Sequence, residues 1–471
     1  MPPTDDVSAR FAKACELMET GHDLEARQAF LDLLAIAPDH AGALNNLGTL
    51  LYRTGFTTAA RTAYREAIAR HPSDPVGHVN LGNLLLEVGD TSDAQIEFEA
   101  ALRAAPDHAE AHRGMAYCLD EAGNEGGAQR HRDNAFTGRA ITRLPWRGKG
   151  DPVSVLMLVA ARGGNIPTRL LLDDRTFATT VAIADYCDPA APLPPHDLLF
   201  NAIGDADLAG DALAAAGRLV EASRAPMINP PVRVARTGRI EVARLMAGVE
   251  GVTAPRFEVL PRTVLEGSTG AVALTGRGLS FPLLLRALGF HTGRHFVRVE
   301  RPQDLAAAIA TLPGRAIAAI EYLDARGRDG GFRKYRAMMI DGTLYPLHLA
   351  VSEDWKVHYF TSGMADHVGH RAEEAKFLAD MPAAIGPRAM AALEAVRDRL
   401  GLDYGGIDFG LGPDGEVLLF EANATMVINP PEPDPHWDYR REPIRRALDA
   451  ARAMLLGRAG VTLFPSQTKL R

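Results

Sequence analysis

A spacing of 34 residues dominates the first third of the sequence. Glycine, proline and aromatic residues all recur at this interval. The glycines are Gly21, Gly55, Gly89 and Gly123, the prolines are Pro38, Pro72 and Pro106, and the aromatic residues are Phe30, Tyr64 and Phe98. A fixed period of this length is typical of solenoids in which each repeat is one helix–turn–helix unit. The pattern therefore predicts an all-α solenoid over residues 8–137.

Each repeat is predicted to be a helix, a turn that contains the glycine, and a second helix that ends near the proline. Segments 45–55 (NNLGTLLYRTG) and 79–89 (VNLGNLLLEVG) show how closely the units agree. The region resembles the tetratricopeptide repeat (TPR) family, with three units and a shorter fourth. That resemblance implies a groove for a protein or peptide partner. The alternative is a module without a separate ligand, which either stabilises the chain or dimerises it into a homo-oligomer.

Composition argues for a multidomain globular protein. A length of 471 residues exceeds one ordinary core, and a net charge of -8 argues against a nucleic-acid partner, whose phosphates attract basic surfaces. The three cysteines lack metal-ligand spacing, the N-terminus lacks the features of a signal peptide, and no apolar run is long enough to cross a membrane. We therefore expect a cytoplasmic protein without a membrane partner.

The pattern changes from helical to β after residues 138–152, a basic stretch that is predicted to be a linker. Residues 153–235 are predicted to be a small α/β domain, with a first buried strand from Val153. Ligands of such domains bind at the carboxyl ends of strands. Arg162 and Asn165 follow the first strand and are candidates for binding a carboxylate substrate. A tight turn without a ligand is the alternative.

Two later strands bring two carboxylates and an amide together. Segment 404–423 (YGGIDFGLGPDGEVLLFEAN) is predicted to be a hairpin with a four-residue loop, GPDG. If the strands pair symmetrically about this loop, Asp408 lies opposite Leu419. Glu421 then lies diagonally across from Asp408 on the same face, about 7–8 Å away. Asn423 shares that face because side chains alternate along a strand.

Carboxylates on a buried sheet are costly unless a cation compensates them. Ligands that are all oxygen favour Mg²⁺ or Mn²⁺ over zinc, and such an ion commonly bridges substrate phosphates. Asp408, Glu421 and Asn423 are therefore predicted to hold Mg²⁺ or Mn²⁺. A salt-bridged pair at a strand end is the alternative.

Further upstream, residues 281–300 are predicted to be two strands joined by a glycine-containing loop, residues 289–294. Arg286 on the first strand and the backbone N–H groups of the loop could bind a phosphate. A strand of small residues then ends at Glu321. It is followed by a predicted hairpin with an Asp341–Gly342 turn.

The order and spacing of these elements resemble the ATP-grasp superfamily, particularly its carboxylate–amine ligases of the ribosomal-protein S6 glutamate ligase and D-alanine ligase type. The resemblance covers residues 153–455, and GGIDFGLGPDGEVLLFEANATM is its most specific part. The expected fold class is therefore an all-α solenoid followed by an α/β and an α+β ATP-grasp region. Residues 236–455 would be the catalytic domain and residues 456–471 a C-terminal tail.

The resemblance also implies roles for individual residues. These are magnesium binding by Asp408, Glu421 and Asn423, ATP phosphate binding by Arg239 and Arg286, adenine and ribose binding by Glu321 and Leu323, and contact with the transferred phosphate by Arg336. The family usually has lysine at the positions of Arg239 and Arg286. The compact charge of an ammonium group is therefore replaced by a planar guanidinium group. His348 stands where many relatives have arginine. These departures bear on the substrate more than on ATP binding.

Segment 346–360 supplies further polar groups. His348 and Lys356 are candidates for orienting the substrate or binding the transferred phosphate, and His348 is also a candidate base for the amine. The alternative is that they are surface polar residues of a hairpin.

The predicted function is ADP-forming ligation of a small carboxylic acid to an amine through an acyl phosphate, with either substrate free or carried on a peptide. The TPR region would dock a protein or peptide. Two alternatives remain open at this point. One is a small-molecule kinase of the same fold, and the other is a TPR scaffold whose ATP-grasp domain binds nucleotide without turnover.

Overall fold

The chain divides into two compact units, Met1–Arg139 and Ala140–Arg471. The computed structural model describes residues 4–267, 269–288, 295–359, 362–431 and 434–461. The predicted phosphate-binding loop, residues 289–294, lies outside the described residues. Across the described ranges, no helix is long and apolar enough to cross a lipid bilayer.

The first unit consists, in its described part, of eight helices that pair in sequence. They are α1 (Thr4–Glu19), α2 (Asp23–Ile36), α3 (Ala41–Arg53), α4 (Thr57–Arg70), α5 (Pro75–Glu87), α6 (Thr91–Ala104), α7 (Ala109–Glu121) and α8 (Glu125–Phe136). The four repeating glycines lie in the turns within the pairs at φ between 72° and 88°, a region that favours glycine. The fourth pair, predicted to be shorter, has a first helix of 13 residues and a second of 12.

Close contacts between small and aromatic residues explain the sequence period. A Cβ on Gly82 would lie 2.7 Å from the ring of Phe98, and one on Gly48 would lie 2.4 Å from the ring of Tyr64. Phe98 is fully buried and Tyr64 nearly so. The second and third repeats therefore need a glycine on the first helix to admit the aromatic residue of the second helix.

The second unit begins with a five-stranded sheet, called here the first sheet. Its strands are β1 (Ile141–Arg143), β2 (Val153–Val159), β3 (Phe177–Ile183), β4 (Leu198–Asn201) and β5 (Met227–Ile228), in the spatial order β1-β3-β2-β4-β5. All neighbours are parallel except β1, which is antiparallel to β3. The predicted linker thus contributes a strand to this sheet. Helix α9 (Gly210–Val220) follows β4.

A second, four-stranded sheet is called here the small sheet. It is preceded by α10 (Pro231–Val234), α11 (Arg239–Met246) and β6 (Val252–Thr253). Its own elements are β7 (Phe257–Pro261), α12 (Arg262–Glu266), α13 (Gly270–Thr275), β8 (Leu283–Ala287), β9 (Phe296–Val299), α14 (Leu305–Ala310) and β10 (Ala316–Glu321). The spatial order is β7-β10-β8-β9, with every pair antiparallel.

The remaining elements form the sheet called here the large sheet and the helices around it. They are β11 (Phe332–Ile340), β12 (Thr343–Ser352), α15 (Val368–Ala379), α16 (Met381–Leu400), β13 (Tyr404–Leu411), β14 (Val417–Asn423) and α17 (Asp438–Arg458). The order is β12-β11-β13-β14-β6. The predicted turn between β11 and β12 is present, with Asp341 at φ 47° and Gly342 at φ 75°.

One buried core runs through the first and large sheets, from Leu156 and Phe200 to Phe409 and Leu455. Asn229, fully buried at the end of β5, reinforces it by hydrogen bonding the backbone N–H and C=O of Tyr404 on β13. The predicted border at residues 235 and 236 therefore lies inside a single packed unit. At the other end, the last three residues of α17, 456–458, lie within the predicted tail.

Candidate active site

A cleft in the second unit is lined by the small sheet and the large sheet. The small sheet contributes Arg286 and Glu321, the large sheet contributes Asp408 and Glu421, and α17 contributes Arg440. Most of the predicted site residues also line it, namely Arg239, Leu323, Arg336, His348, Lys356 and Asn423. The cleft thus gathers residues that lie up to about 200 positions apart in the sequence.

The two predicted carboxylates face each other more directly than expected. Asp408 pairs with Glu421 across β13 and β14, while Phe409 pairs with Leu419, so Phe420 is an extra residue in β14. The connecting loop is also one residue longer than predicted, because β14 begins at Val417. This bulge corrects the predicted diagonal arrangement and places both carboxylates at one level of the sheet.

Asp408 is buried and bound by two cations from β11. Arg336 donates from Nε to Oδ1 at 2.5 Å and from Nη2 to Oδ2 at 2.8 Å, and the Lys334 ammonium lies 3.1 Å from Oδ2. Burial alone would raise the pKa of Asp408, but Arg336 and Lys334 outweigh it and hold that pKa well below its usual value. Asp408 is therefore ionised at neutral pH.

Glu421 is joined to Asp207 through Arg239. Arg239 donates from Nη2 to Glu421 Oε1 at 3.2 Å and from Nη1 to Asp207 Oδ2 at 2.8 Å. Asp207 also accepts the backbone N–H of Arg239, the first residue of α11. Asp207 thus compensates a cation that would otherwise oppose the helix dipole.

Asn423 presents its nitrogen, not its oxygen, to the carboxylates. Its Nδ2 donates to Glu421 Oε1 at 3.1 Å, while its Oδ1 accepts from the Thr425 N–H and hydroxyl at 3.0 and 2.9 Å. The Thr425 N–H needs an acceptor, which fixes this orientation. The predicted role of Asn423 as a metal ligand would require the amide to rotate.

The donor chemistry of Asp408 and Glu421 fits a hard divalent cation. Both are carboxylates at one level of the sheet, and each is now compensated by arginine. No group of three or more His, Cys, Asp or Glu side chains suited to a metal occurs in the described part of the chain. Further oxygen ligands would therefore have to come from Asn423, water or substrate.

The small sheet presents Arg286 and Glu321 to the cleft. Burial lowers the pKa of Arg286, and the nearby Arg239 cation lowers it further, so the two predicted phosphate ligands are electrostatically coupled. Glu321 Oε2 accepts the backbone N–H of Arg256 at 3.0 Å. That bond attaches the end of β10 to the segment preceding β7.

An aromatic cluster, Phe296, Tyr322 and Trp355, connects the two sheets across the cleft. Trp355, in the segment after β12, meets Phe296 of β9 edge to face at 5.4 Å between ring centroids and Tyr322 at 6.4 Å. The Arg298 guanidinium lies 4.1 Å from the centre of the Tyr322 ring. None of these residues is predicted from the sequence to belong to the site.

His348 lies opposite Arg336 in the β11–β12 pair, with its ring 4.8 Å from that of Tyr359. Burial, followed by the positive charge of Arg336, holds the pKa of His348 well below its usual value. His348 is thus neutral at neutral pH. Lys356 also lines the cleft.

Arg162 and Asn165 are not among the residues that line the cleft as the structure describes it. The Asn165 side chain instead closes its own loop, accepting the Ala160 N–H at 2.8 Å and donating to the Ala160 carbonyl at 2.9 Å. Its polar atoms are therefore occupied by backbone. The geometry gives no support to the predicted role of either residue in binding a carboxylate.

Residues missed by the sequence analysis include Lys334, Asp207 and Arg440. Lys334 could have been found, because it shares a strand face with Arg336 two positions away. Asp207 follows β4 and could have been recognised from its place at a strand end. Arg440 could not have been recognised from the sequence around it, since only the tertiary fold brings α17 to the cleft.

Residues 11–75 and 79–128 match the family model described as tetratricopeptide repeat. The first unit is a TPR solenoid. Comparison with curated proteins gives no match for this sequence.

Solved structures similar to this region include a tetratricopeptide repeat protein from Parabacteroides merdae ATCC 43184 and MamA from Desulfovibrio magneticus RS-1. The first is 22% identical, covers 28% of this chain and 52% of its own, and has a TM-score of 0.26. The second is 17% identical, covers 28% and 75% respectively, and has a TM-score of 0.25. The chain thus spans about half the length of the first of these proteins.

Proposed function

We propose that the second unit is an ADP-forming, ATP-dependent carboxylate–amine ligase with an ATP-grasp fold, and that the TPR solenoid docks a protein or peptide. The observation that carries the proposal is the collection of cations and opposed carboxylates in one cleft. These residues are Arg239, Arg286, Lys334, Arg336, Asp408 and Glu421. Such a set suits the transfer of a phosphoryl group, in which positioning and charge neutralisation dominate.

A carboxylate has no leaving group, so an amide cannot form from it directly at useful rates. In the proposed reaction a carboxylate oxygen of the acid attacks the γ-phosphorus of ATP and ADP departs. The amine nitrogen then attacks the carbonyl carbon of the resulting acyl phosphate, phosphate departs, and the nitrogen releases one proton to the departing phosphate or to water. No covalent nucleophile from the protein is needed.

Each cationic residue has a proposed task. Arg239 and Arg286 bind nucleotide phosphates, while Arg336 and Lys334 neutralise charge on the transferred group and keep Asp408 ionised. Asp408 and Glu421 would hold magnesium, which supplies charge neutralisation at the phosphate oxygens. Small carboxylates and amines are the proposed substrates, and ATP with Mg²⁺ or Mn²⁺ the cofactors.

The low pKa of His348 bears on its proposed role. A neutral imidazole can accept or donate a hydrogen bond, but one whose proton affinity is so reduced is a weak base at neutral pH. We therefore assign His348 to orienting the amine. Glu321 and Leu323 are proposed to contact the adenosine.

The test measures product release from ATP and Mg²⁺ with pooled amino acids and small carboxylic acids, comparing the wild-type protein with Glu421→Ala. ADP and phosphate that form only with added acid, and that fall at least 100-fold in the variant, would support the ligase. Hydroxamate formation with added hydroxylamine would demonstrate the acyl phosphate and exclude a simple kinase. AMP and pyrophosphate would overturn the mechanism.

A scaffold that binds nucleotide without turnover is the second candidate. It is favoured by one observation, the Asn423 oxygen that bonds Thr425 instead of facing Glu421. Tight ATP binding with no product from any acid would support it. In that case the TPR solenoid would carry the function.

A further inference from the structure

We propose that Lys334 is the resident cation of Asp408, meaning that its ammonium keeps a divalent cation away from this carboxylate while the cleft holds no nucleotide. When a nucleotide binds, the Lys334 ammonium leaves Asp408 for a phosphate oxygen, so that metal and nucleotide enter the cleft together. This inference rests on the proposed function for the identity of the nucleotide. The exclusion of metal, however, can be measured without nucleotide and without turnover.

Asp408 has little acceptor capacity left for a metal. A carboxylate accepts at about four lone-pair positions on its two oxygens. Arg336 donates to both oxygens, at 2.5 and 2.8 Å, and the Lys334 ammonium lies 3.1 Å from Oδ2. Only 4% of the Asp408 side chain is exposed, so solvent ions screen these charges poorly. Two cations already neutralise one buried anion, and a divalent cation beside them would be repelled.

Lys334 is the one of these two cations that can change partner. Arg336 lies directly opposite Asp408 in the β11–β13 register and holds it with two hydrogen bonds. Lys334 reaches the same carboxylate through a single contact at the end of a flexible four-carbon stem. It also lines the cleft in which the nucleotide is proposed to bind. Lys334 can therefore move to a phosphate while Arg336 keeps Asp408 in place.

The second carboxylate is occupied in the same manner. Glu421 Oε1 accepts from Arg239 Nη2 at 3.2 Å and from Asn423 Nδ2 at 3.1 Å. The Asn423 oxygen accepts from Thr425, so this amide presents a donor where a metal needs an acceptor. Protein donors must therefore be drawn away from Asp408 and Glu421 before these carboxylates can ligate a cation.

The phosphates of a nucleotide provide the competing acceptors. A triphosphate brings several negative charges, and Mg²⁺ or Mn²⁺ in proteins usually binds phosphate oxygens together with one or two carboxylates. Once Lys334 pairs with a phosphate, Asp408 regains an acceptor position and loses a neighbouring positive charge. Binding of nucleotide and binding of metal are therefore expected to strengthen each other.

The first experiment measures metal binding to the full-length protein without nucleotide. Free Mn²⁺ gives an electron paramagnetic resonance signal that is lost on binding, so a titration yields the dissociation constant. We expect Lys334→Met to bind Mn²⁺ at least tenfold more tightly than the wild-type protein, because Asp408 then keeps Arg336 as its only cation. Lys334→Arg, which retains the positive charge, should stay within about threefold of wild type.

Two matched variants separate this effect from a general change of charge. Lys356→Met removes a lysine from the lining of the same cleft, and Lys376→Met removes one from an exposed position on α15. Both should stay within about threefold of the wild-type affinity for Mn²⁺, because Arg336 and Lys334 still neutralise Asp408. Lys334→Met is expected to fold, since the bidentate pair of Arg336 and Asp408 remains. A thermal unfolding curve for each variant checks this at the temperature of the titration.

The second experiment measures the affinity of a fluorescent ATP analogue in the presence of Mg²⁺. Lys334→Met should weaken this affinity at least tenfold, because a phosphate loses its ammonium partner. The same substitution is thus expected to strengthen the binding of metal alone and to weaken the binding of nucleotide. A lysine that only stabilised the fold would not produce these opposite changes.

Equal Mn²⁺ affinity in wild type and Lys334→Met, or an equal gain in Lys356→Met, would overturn the inference. So would a measurable affinity for the ATP analogue that Lys334→Met leaves unchanged. Both expected changes without product from any acid and amine would support the role of Lys334 while the proposed ligase fails.

Discussion

Arg336 and Asp408 form a bidentate ion pair inside the cleft, with Nε 2.5 Å from Oδ1 and Nη2 2.8 Å from Oδ2. The two residues lie directly opposite each other on β11 and β13, so backbone register holds the side chains together. Both are largely buried, at 21% and 4% side-chain exposure. Replacing one partner should therefore lower the free energy of unfolding more than replacing both.

We expect Arg336→Gln to lower the free energy of unfolding of the second unit by roughly 3 kcal/mol, because Asp408 keeps only Lys334 as its cation. The double variant with Asp408→Asn should recover at least half of that loss. All three tryptophans lie in the second unit, so urea unfolding followed by tryptophan fluorescence reports it selectively. Additive losses in the double variant would show that the pair is not coupled.

This pair also marks the limit of what the sequence predicts. The strands that carry Arg336, Asp408 and Glu421 are recognisable from their alternating pattern, and the resemblance points to the same residues. The direct opposition of Asp408 and Glu421 is not recognisable, because it depends on the bulge at Phe420. One extra residue shifts every later pairing, and no local sequence signal marks it.

Trp355 is expected to slow the exchange of the nucleotide that is proposed to bind in the cleft, because its contacts with Phe296 and Tyr322 connect the two sheets. Each aromatic contact contributes about 0.5–1.5 kcal/mol. Trp355→Ala should therefore raise the dissociation rate of a fluorescent ATP analogue roughly tenfold, measured by stopped-flow displacement. Trp355→Phe, which keeps an edge-to-face contact, should stay within about threefold of wild type. An unchanged rate in Trp355→Ala would exclude a role in retaining nucleotide.

The solenoid, unlike the bulge at Phe420, could be predicted from the sequence, because its contacts are local and recur in each repeat. Gly82 and Phe98 belong to one repeat, and the same small and aromatic positions recur in others. Trp355 and Arg440 reach the cleft through contacts between distant segments, which leave no period in the sequence. Strand β3 was missed as well, although its segment FATTVAI is rich in the β-branched residues that strands favour.

Gly82→Ala should destabilise the solenoid by roughly 1–3 kcal/mol, because the added Cβ would meet the Phe98 ring at 2.7 Å. Phe98→Leu in the same chain should restore part of the loss by vacating that space. Gly126→Ala is the matched control, as its Cβ would approach only the end of the Arg130 side chain at 3.8 Å, and alanine favours the helix. Thermal unfolding followed by far-ultraviolet circular dichroism measures the stability of all three variants. A Gly82→Ala midpoint equal to that of the control would contradict the packing argument.

His131 is expected to make the stability of the solenoid depend on pH. Its Nδ1 lies 2.8 Å from that of His112, whose Nε2 bonds the Pro106 carbonyl. Burial lowers the pKa of His131, and the neighbouring His112 lowers it further. A histidine whose pKa is lower in the folded chain stabilises it above the unfolded pKa, near 6.5, and this stabilisation is lost as the pH falls.

The midpoint of thermal unfolding of the helical signal should therefore fall between pH 7 and pH 5, and His131→Gln should reduce that fall by on the order of 2 °C. The effect is small because His131 is only half-buried and water screens its charge. His22→Gln, which changes an exposed histidine outside this pair, should leave the pH dependence as it is in the wild-type protein. If His131→Gln and His22→Gln gave the same pH profile, protonation of the His112–His131 pair would not be what destabilises the solenoid in acid.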